Sequence, residues 1–110
     1  MRISLLVPCF NEEKSLHKSI ASWLDQTRPI DEIVIVDDSS TDRTAEILSW
    51  CSGRIRVVKT PKNSGNKSYA QEFGLTYVTG DVVITTDGDT RLDRHFAERM
   101  EVDFADSAVV

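Results

Sequence analysis

Two aspartates one residue apart, Asp87 and Asp89, are the side chains of this sequence best suited to chemistry. They follow the apolar run 82–84, which predicts a buried strand, and α/β proteins bind ligands where such strands end. Side chains two apart in extended backbone point the same way, about 6 to 7 Å along the chain. Asp87 and Asp89 can therefore bind one hard cation, directly or through its waters, which predicts a Mg²⁺ or Mn²⁺ site that also carries phosphate oxygens. Taken alone, an Asp-Gly turn explains the same residues.

The composition is that of an ordinary globular chain, with 110 residues, 40% of them hydrophobic and 28% charged. This length suffices for one core, so we expect one domain or part of one. The formal charge of -5 and the absence of a basic run argue against nucleic acid as a partner. Cys9 and Cys51 lie far apart without metal-ligand spacing, which predicts buried reduced thiols.

Apolar patterning predicts that strands and helices alternate along the chain. Apolar runs of strand type span 3–7, 33–36, 55–60 and 82–86. Pro8 is expected to stop the first strand, because proline cannot donate to a ladder. Three- and four-residue spacing predicts that the inner faces of the intervening helices carry Leu16, Ile20, Trp23 and Leu24, then Ala45, Ile47, Leu48 and Cys51, then Tyr69, Ala70, Phe73 and Tyr77, and finally Phe96, Met100 and Phe104.

Polar residues mark where the predicted helices begin. Ser40 or Thr41 is expected to cap the second helix, and Asp93 is expected to cap the last one. Residues 108–110 have the apolar character of another strand that the sequence does not complete. We therefore expect the chain to stop partway through a fold, which would leave a sheet edge and an apolar face uncovered and would favour self-association.

Strand and helix alternation implies a parallel sheet whose strands all end at the same edge. Residues 8–11, the pair Asp37 and Asp38, and residues 87–89 would then meet there. If the strand order is 3-2-1-4, a crevice opens between the first and fourth strands. Four carboxylates in one crevice repel each other unless some bind a metal and others accept hydrogen bonds from neutral groups. The sequence therefore predicts a nucleoside diphosphate held through base, ribose and metal.

Four runs of this sequence resemble, in order and spacing, the motifs of the family-two inverting glycosyltransferases with the A-type nucleotide-sugar fold. They are Leu6-Val7-Pro8-Cys9-Phe10-Asn11-Glu12, Ile35-Val36-Asp37-Asp38-Ser39-Ser40-Thr41-Asp42, Asn63-Ser64-Gly65-Asn66-Lys67 and Thr86-Asp87-Gly88-Asp89-Thr90. The resemblance implies that residues 1–110 are the nucleotide-sugar-binding part of a glycosyltransferase domain. It implies an α/β fold with a Rossmann-like, mostly parallel sheet and helices on both faces. The Asp-Gly-Asp-Thr form is also similar to processive polysaccharide synthases, including those of chitin, hyaluronan and poly-N-acetylglucosamine.

The resemblance assigns nucleotide binding to the ends of the first two strands. Asp38 would accept a hydrogen bond from the uracil N3 of a UDP-sugar, and Asp37 belongs to the same nucleotide-binding set. The Pro8 segment, with Phe10 and Asn11, would line the nucleoside. These roles follow from the family's motifs and are carried to this chain residue by residue.

The same resemblance assigns metal and phosphate binding to the later motifs. Lys67 would lie close to base or phosphate, Asp87 near ribose or metal, and Asp89 would ligate Mg²⁺ or Mn²⁺. The implied reaction transfers a sugar with inversion from a UDP-sugar to an acceptor hydroxyl, while the metal stabilises charge on the leaving phosphates.

No catalytic residue is assigned within this chain. The family's general base is a carboxylate well downstream of the Asp-x-Asp pair, beyond Val110, and the later Gln-x-x-Arg-Trp element of processive members is also absent. We therefore expect the chain to bind donor nucleotide without transferring sugar alone. The acceptor, a sugar, lipid or polysaccharide, would be bound by a further region. The full-length protein is expected in the cytoplasm, at the cytoplasmic face of a membrane.

Two alternatives come from other classes of protein. A receiver domain of signalling also clusters aspartates around Mg²⁺, but its acidic pair follows the first strand and its phosphorylated Asp the third. Here the acidic residues follow the second and fourth predicted strands. A degenerate glycosyltransferase-like binding module would keep the fold, and the intact carboxylates count against it. A P-loop is disfavoured because Thr60 stands where the earlier glycine belongs.

Overall fold

A four-stranded parallel sheet lies at the centre of the fold in the computed structural model, which describes residues 1–51 and 53–107. The strand order is β3-β2-β1-β4, which is the order that opens a crevice between the first and fourth strands. The elements are, in chain order, β1 (Ile3–Cys9), α1 (Leu16–Leu24), β2 (Glu32–Asp37), α2 (Thr44–Leu48), β3 (Ile55–Lys59), α3 (Lys67–Leu75), β4 (Val82–Thr85) and α4 (Phe96–Ser107). The strand predicted from residues 108–110 lies outside the described residues.

The two central strands, β1 and β2, are buried on both faces because helices cover the sheet on both sides. Their odd-numbered side chains join one hydrophobic cluster with residues from α1, α2 and α4: Ile3, Leu5, Val7, Cys9, Ile33, Ile35, Leu16, Trp23, Leu48 and Ala97. Their even-numbered side chains join a second cluster with α3: Leu6, Val34, Val36 and Ala70. The alternation follows from the two-residue period of a strand and confirms the predicted helices on both faces.

The prediction that Pro8 ends the first strand is wrong, since β1 continues through Pro8 to Cys9. In a parallel strand the N–H and C=O of one residue face the same neighbour, and successive residues alternate. Leu6 faces β4, where its carbonyl accepts from the backbone N–H of Thr86, so Pro8 faces β4 as well. Strand β4 ends at Thr85, so the proline lies on a locally open edge and removes no hydrogen bond from the ladder.

Four apolar side chains assigned to inner helix faces are exposed instead: Leu24, Ala45, Tyr69 and Phe104. Spacing of three and four residues defines a stripe only to within about one position, and tertiary contacts set the rotation of each helix. In α2 the backbone N–H of Glu12 donates to the hydroxyl of Thr44 at 2.8 Å. This bond holds Thr44 inward, and Leu48, one turn later, is the other buried residue of α2.

The predicted cap of α2 is also wrong. Arg43 occupies the N-cap position without a side-chain cap hydrogen bond, and Oδ1 of the preceding Asp42 accepts from the backbone N–H of Thr44 at 2.8 Å. Ser40 instead accepts from the backbone N–H of Asn11 and so ties two loops together. At the start of α4 the carboxylate of Asp93 accepts from the backbone N–H of His95 at 2.8 Å, in agreement with the predicted cap.

Helix α1 anchors the chain that follows β4. The indole of Trp23 donates to the carbonyl of Thr90 at 3.0 Å, immediately after the Asp-Gly-Asp turn. The amide of Gln26 donates to the carbonyl of Asp93 and accepts from the backbone N–H of Ala97 at 2.9 Å. The chain on the far side of the turn is therefore held by side chains of α1.

Both cysteines are free thiols, Cys9 buried and Cys51 half-buried. The side chains of His17 and His95 are both exposed. Among the described residues, no helix combines the length and the apolar character that crossing a membrane requires.

Gly74 allows α3 to pack directly on the sheet. A Cβ at this position would lie 2.4 Å from Cδ1 of Leu6 and 2.6 Å from Cγ2 of Val36. We expect Gly74→Ala to lower the free energy of unfolding by about 1 to 2 kcal/mol, because overpacking, which typically costs about 1 to 3 kcal/mol, outweighs the helix propensity gained, about 1 kcal/mol. Urea unfolding followed by circular dichroism measures this change.

The matched control is Glu72→Ala, on the exposed side of the same helix. It should change the free energy of unfolding by less than about 0.5 kcal/mol. A Gly74→Ala chain as stable as the wild type would contradict the close approach of α3 to β1 and β2.

Candidate functional site

A cavity of about 420 Å³ opens at the carboxyl ends of β1, β2 and β4, where the strand endings were predicted to meet. The residues that line it are Pro8, Cys9, Phe10, Glu12, Asp38, Asn63, Gly65, Asn66, Lys67, Ala70, Asp87 and Asp89. Its volume lies within the range of about 300 to 1,000 Å³ that is usual for small-molecule sites. The parallel sheet therefore brings residues from four separate stretches of sequence into one pocket.

Six of the eight residues predicted to bind nucleotide or metal line this cavity. They are Pro8, Phe10, Asp38, Lys67, Asp87 and Asp89. Their individual roles stay predictions, because the structure carries no ligand. The other two, Asn11 and Asp37, do not line the cavity and make bonds within the loops instead.

Asn11 and Asp37 shape the loops beside the cavity. Asn11 has a φ of 52° and its Oδ1 accepts from the backbone N–H groups of Thr41 and Asp42, at 2.7 and 3.2 Å. Asp37 is buried, and its Oδ1 accepts from the backbone N–H of Ser40 at 3.0 Å. In this structure both side chains therefore satisfy backbone donors of the loop that follows β2.

Asp38 is a buried carboxylate surrounded by hydrogen-bond donors. Its Oδ1 accepts from the hydroxyl of Thr60 at 2.8 Å and from the backbone N–H of Ser64 at 3.1 Å. Its Oδ2 accepts from the hydroxyl of Ser64 at 2.9 Å. Only 5% of Asp38 is exposed, so the donors replace the water that a surface carboxylate would have.

These donors also determine the charge of Asp38. Burial alone would raise the pKa of its carboxyl, but the hydrogen bonds from the backbone of Ser64 and from the hydroxyls of Thr60 and Ser64 together lower the pKa below its ordinary value. Asp38 is thus an ionised acceptor at neutral pH.

Lys67 and Asp87 face each other at the opposite side of the cavity. Lys67 is the first residue of α3, Asp87 follows β4, and Lys67 Nζ forms an ion pair with Asp87 Oδ1. About half of each side chain is exposed, so the pair contributes little to stability. A charged ligand can therefore displace it at small cost.

The turn between Asp87 and Asp89 packs closely on the loop that follows β1. Gly88 is buried, and a Cβ there would lie 2.9 Å from both Cys9 Sγ and Glu12 Cγ. Burial, and after it the charge of Asp89, raises the pKa of Glu12. Negative charge is thus concentrated around Asp89, which is exposed at the mouth of the cavity.

A divalent cation fits this donor set only if a ligand completes its coordination. Among the described residues, no three His, Cys, Asp or Glu side chains converge into a metal cage. Mg²⁺ commonly uses one or two carboxylates and takes its other oxygens from phosphates and water. Asp87 and Asp89 line one cavity and offer hard oxygens of this kind, so the residues fit Mg²⁺ or Mn²⁺ bound together with a phosphate.

Six lining residues had no predicted role in binding: Cys9, Glu12, Asn63, Gly65, Asn66 and Ala70. Glu12 directly follows the predicted nucleotide segment, but no binding role was assigned to it. Asn63 and Asn66 belong to a motif from which only Lys67 was assigned. Burial first, and then the charges of Glu12 and neighbouring aspartates, raises the pKa of the Cys9 thiol far above its usual range, so this thiol is not a nucleophile.

A comparison with known families identifies one match over almost the entire sequence. The model described as glycosyl transferase family 2 matches residues 4–109. Among curated proteins, the chain is 38% identical over 99 residues to a 4,4'-diaponeurosporenoate glycosyltransferase of Staphylococcus haemolyticus, covering 86% of this chain and 26% of that protein. It is 34% identical to the poly(ribitol-phosphate) beta-N-acetylglucosaminyltransferase TarP of Staphylococcus aureus, covering 88% of this chain and 31% of TarP.

Solved structures show the same arrangement of elements. The crystal structure of S. aureus TarS 1-349 in complex with UDP superposes with a TM-score of 0.85 at 27% identity, covering 93% of this chain and 31% of that one. The TarS complex with UDP-GlcNAc matches with the same TM-score. The chain therefore spans about a quarter to a third of the length of these relatives, and the predicted α/β fold is confirmed.

The lowered pKa of Asp38 makes a prediction about stability in acid. Because the folded chain holds this proton less tightly than the unfolded chain, Asp38 stabilises the fold above about pH 4, the unfolded value, and this contribution is lost as pH falls through the folded value. We expect Asp38→Asn to show a shallower loss of unfolding free energy between pH 5 and pH 3. The slope of unfolding free energy against pH should differ between Asp38→Asn and the wild type by at most about 1.4 kcal/mol per pH unit, which corresponds to about one proton.

Urea unfolding at a series of pH values measures these slopes. Asp103→Asn, at an exposed position of α4, is the matched control and should keep the slope of the wild type. Equal slopes for Asp38→Asn and wild type would show that the hydrogen bonds to Asp38 do not favour its ionised form.

Proposed function

The chain belongs to glycosyl transferase family 2, and we propose that it binds the nucleotide-sugar donor of a glycosyltransferase, with UDP as the nucleotide. The observation that carries the proposal is the placement of Asp38 at one side of the cavity and of Asp87 and Asp89 at the other. Membership of this family excludes a signalling receiver domain. The UDP and UDP-GlcNAc in the TarS structures support a uridine nucleotide.

The spacing of the strands matches the length of a nucleoside. Asp38 follows β2 and Asp87 follows β4, and β1 lies between these two strands. Neighbouring strands are about 4.8 Å apart, so the two carboxylates belong to strands separated by about 10 Å. A nucleoside laid across the end of β1 can therefore place its base near Asp38 and its diphosphate near Asp87.

The base end of the cavity combines an acceptor with apolar surface. Asp38 is ionised and accepts a hydrogen bond, as the N3–H of uracil requires. Pro8 and Phe10 line the cavity beside it, and 40% of Phe10 is exposed, which leaves apolar surface for base and ribose.

The diphosphate end combines carboxylates with positive charge. Asp87 and Asp89 would hold Mg²⁺ or Mn²⁺, which supplies positive charge to a leaving diphosphate. Lys67 lies beside Asp87 at the amino end of α3, where the helix dipole also favours a phosphate. This chain would thus orient the diphosphate through Lys67 of α3 and the two aspartates that follow β4.

Sugar transfer itself would be an activity of a longer protein. We propose an inverting transfer to an acceptor hydroxyl, in line with the glycosyltransferases that the chain resembles. The general base and the acceptor site would lie outside this chain, which spans only 26% and 31% of the two curated relatives. We propose that the acceptor is a saccharide, lipid or polysaccharide and that the transfer takes place at the cytoplasmic face of a membrane.

Calorimetric titration of UDP into the purified chain, with and without Mn²⁺, tests donor binding. We expect Mn²⁺ to strengthen UDP binding by about tenfold or more, and Asp89→Asn to lose this gain because a neutral amide is a weaker ligand for a hard cation. Asp103→Asn should keep it.

Parallel titrations with GDP test the choice of nucleotide, and weaker binding of GDP than of UDP is expected. A chain that is folded by circular dichroism and binds neither nucleotide would contradict the proposal and favour a degenerate module. Metal-dependent binding that survives in Asp89→Asn would remove Asp89 from the metal site.

A further inference from the structure

The acceptor positions of Asp38 are almost fully used by the protein itself. A carboxylate oxygen can accept about two hydrogen bonds. Oδ1 accepts two, from the Thr60 hydroxyl and the Ser64 backbone N–H, whereas Oδ2 accepts one, from the Ser64 hydroxyl. Counting donors from residues 1–51 and 53–107, one acceptor position on Oδ2 therefore remains for a ligand in the cavity that Asp38 lines.

We propose that Thr60 and Ser64 are positioning residues that orient Asp38 and keep it ionised, so that its remaining acceptor selects a nucleobase carrying an N–H at its pairing edge. This inference rests on the proposed function, because it specifies how the same cavity chooses its nucleotide. It assigns base selection to residues 22 and 26 positions away from Asp38 in sequence.

Thr60 is rigidly held at the end of β3. It is 2% exposed, its backbone N–H donates to the carbonyl of Asp37 at 3.1 Å, and its own carbonyl accepts from the hydroxyl of Ser39 at 3.1 Å. The hydroxyl that donates to Asp38 thus comes from a residue fixed on both sides.

Ser64 contributes in two ways of unequal strength. Its backbone N–H donates to Oδ1, but its single hydroxyl proton has two acceptors in reach, Asp38 Oδ2 at 2.9 Å and the carbonyl of Asn66 at 3.0 Å. Thr60 is therefore the side chain whose removal tests the proposal most directly.

An ionised Asp38 distinguishes uracil from cytosine. At position N3 uracil presents a donor and cytosine presents a lone pair, and a carboxylate without a proton can only accept. If the donors around Asp38 are removed, its buried carboxyl gains affinity for a proton, and a protonated carboxyl can donate to cytosine N3. The network should therefore favour UDP over CDP.

The test compares Thr60→Val, which keeps the shape of the side chain and loses the hydroxyl, with Thr60→Ser, which keeps the hydroxyl. UDP and CDP are titrated into each chain with Mn²⁺ present. We expect Thr60→Val to weaken UDP binding by about five- to twentyfold and CDP binding much less, so that the preference for UDP falls. Thr60→Ser should bind UDP within about twofold of the wild type.

Each outcome bears on one of the two claims. If Thr60→Val keeps the wild-type preference for UDP, or weakens UDP and CDP equally, the positioning role is wrong. Wild type that binds no UDP contradicts the proposed function itself. If Thr60→Val does not fold, Ser64→Ala serves instead, and its preference for UDP should fall as well, whereas an unchanged preference overturns the inference.

Discussion

The pairing of β1 with β2 on one side and β4 on the other is the constraint on which the site depends. It places residues at the carboxyl ends of three strands along one sheet edge, in the order Asp38, Pro8, Asp87. The strand spacing then sets the distance between the base end and the metal end of the cavity. Both ends lie next to strands of the sheet, since Asp38 directly follows β2 and Asp87 lies two residues after the end of β4.

The four carboxylates at or beyond the ends of β2 and β4 do not share one environment. Asp37 accepts from the backbone of its own loop, Asp38 is surrounded by three donors, and Asp87 pairs with Lys67. Asp89 lies at the exposed mouth of the cavity. Their mutual repulsion is thus reduced by separate partners, and the negative charge least compensated by the protein lies where a cation would enter.

The sequence predicted the four strands and half of the residues that line the cavity, because strand periodicity and the polar residues near each strand end are local signals. The roles of Asn11 and Asp37 in the loops depend on a positive φ and on nearby backbone donors, which a pattern does not contain. The bond between Thr60 and Asp38 depends on the register of β2 against β3. The spacing of apolar residues also does not determine how a helix is rotated about its axis. Leu24 has the spacing of a buried residue and is exposed.

Pro8 has a consequence for the shape of the crevice. If β4 continued beside β1, the next rung of the ladder would need an N–H from residue 8 to the carbonyl of Thr86, and proline has none. Without this hydrogen bond the pairing of β1 with β4 ends at Leu6 and Thr85. The chain after Thr86 then continues into the Asp-Gly-Asp turn. Because proline has no N–H to donate, the sheet does not extend into the crevice between β1 and β4. The space that a ligand would occupy therefore stays open.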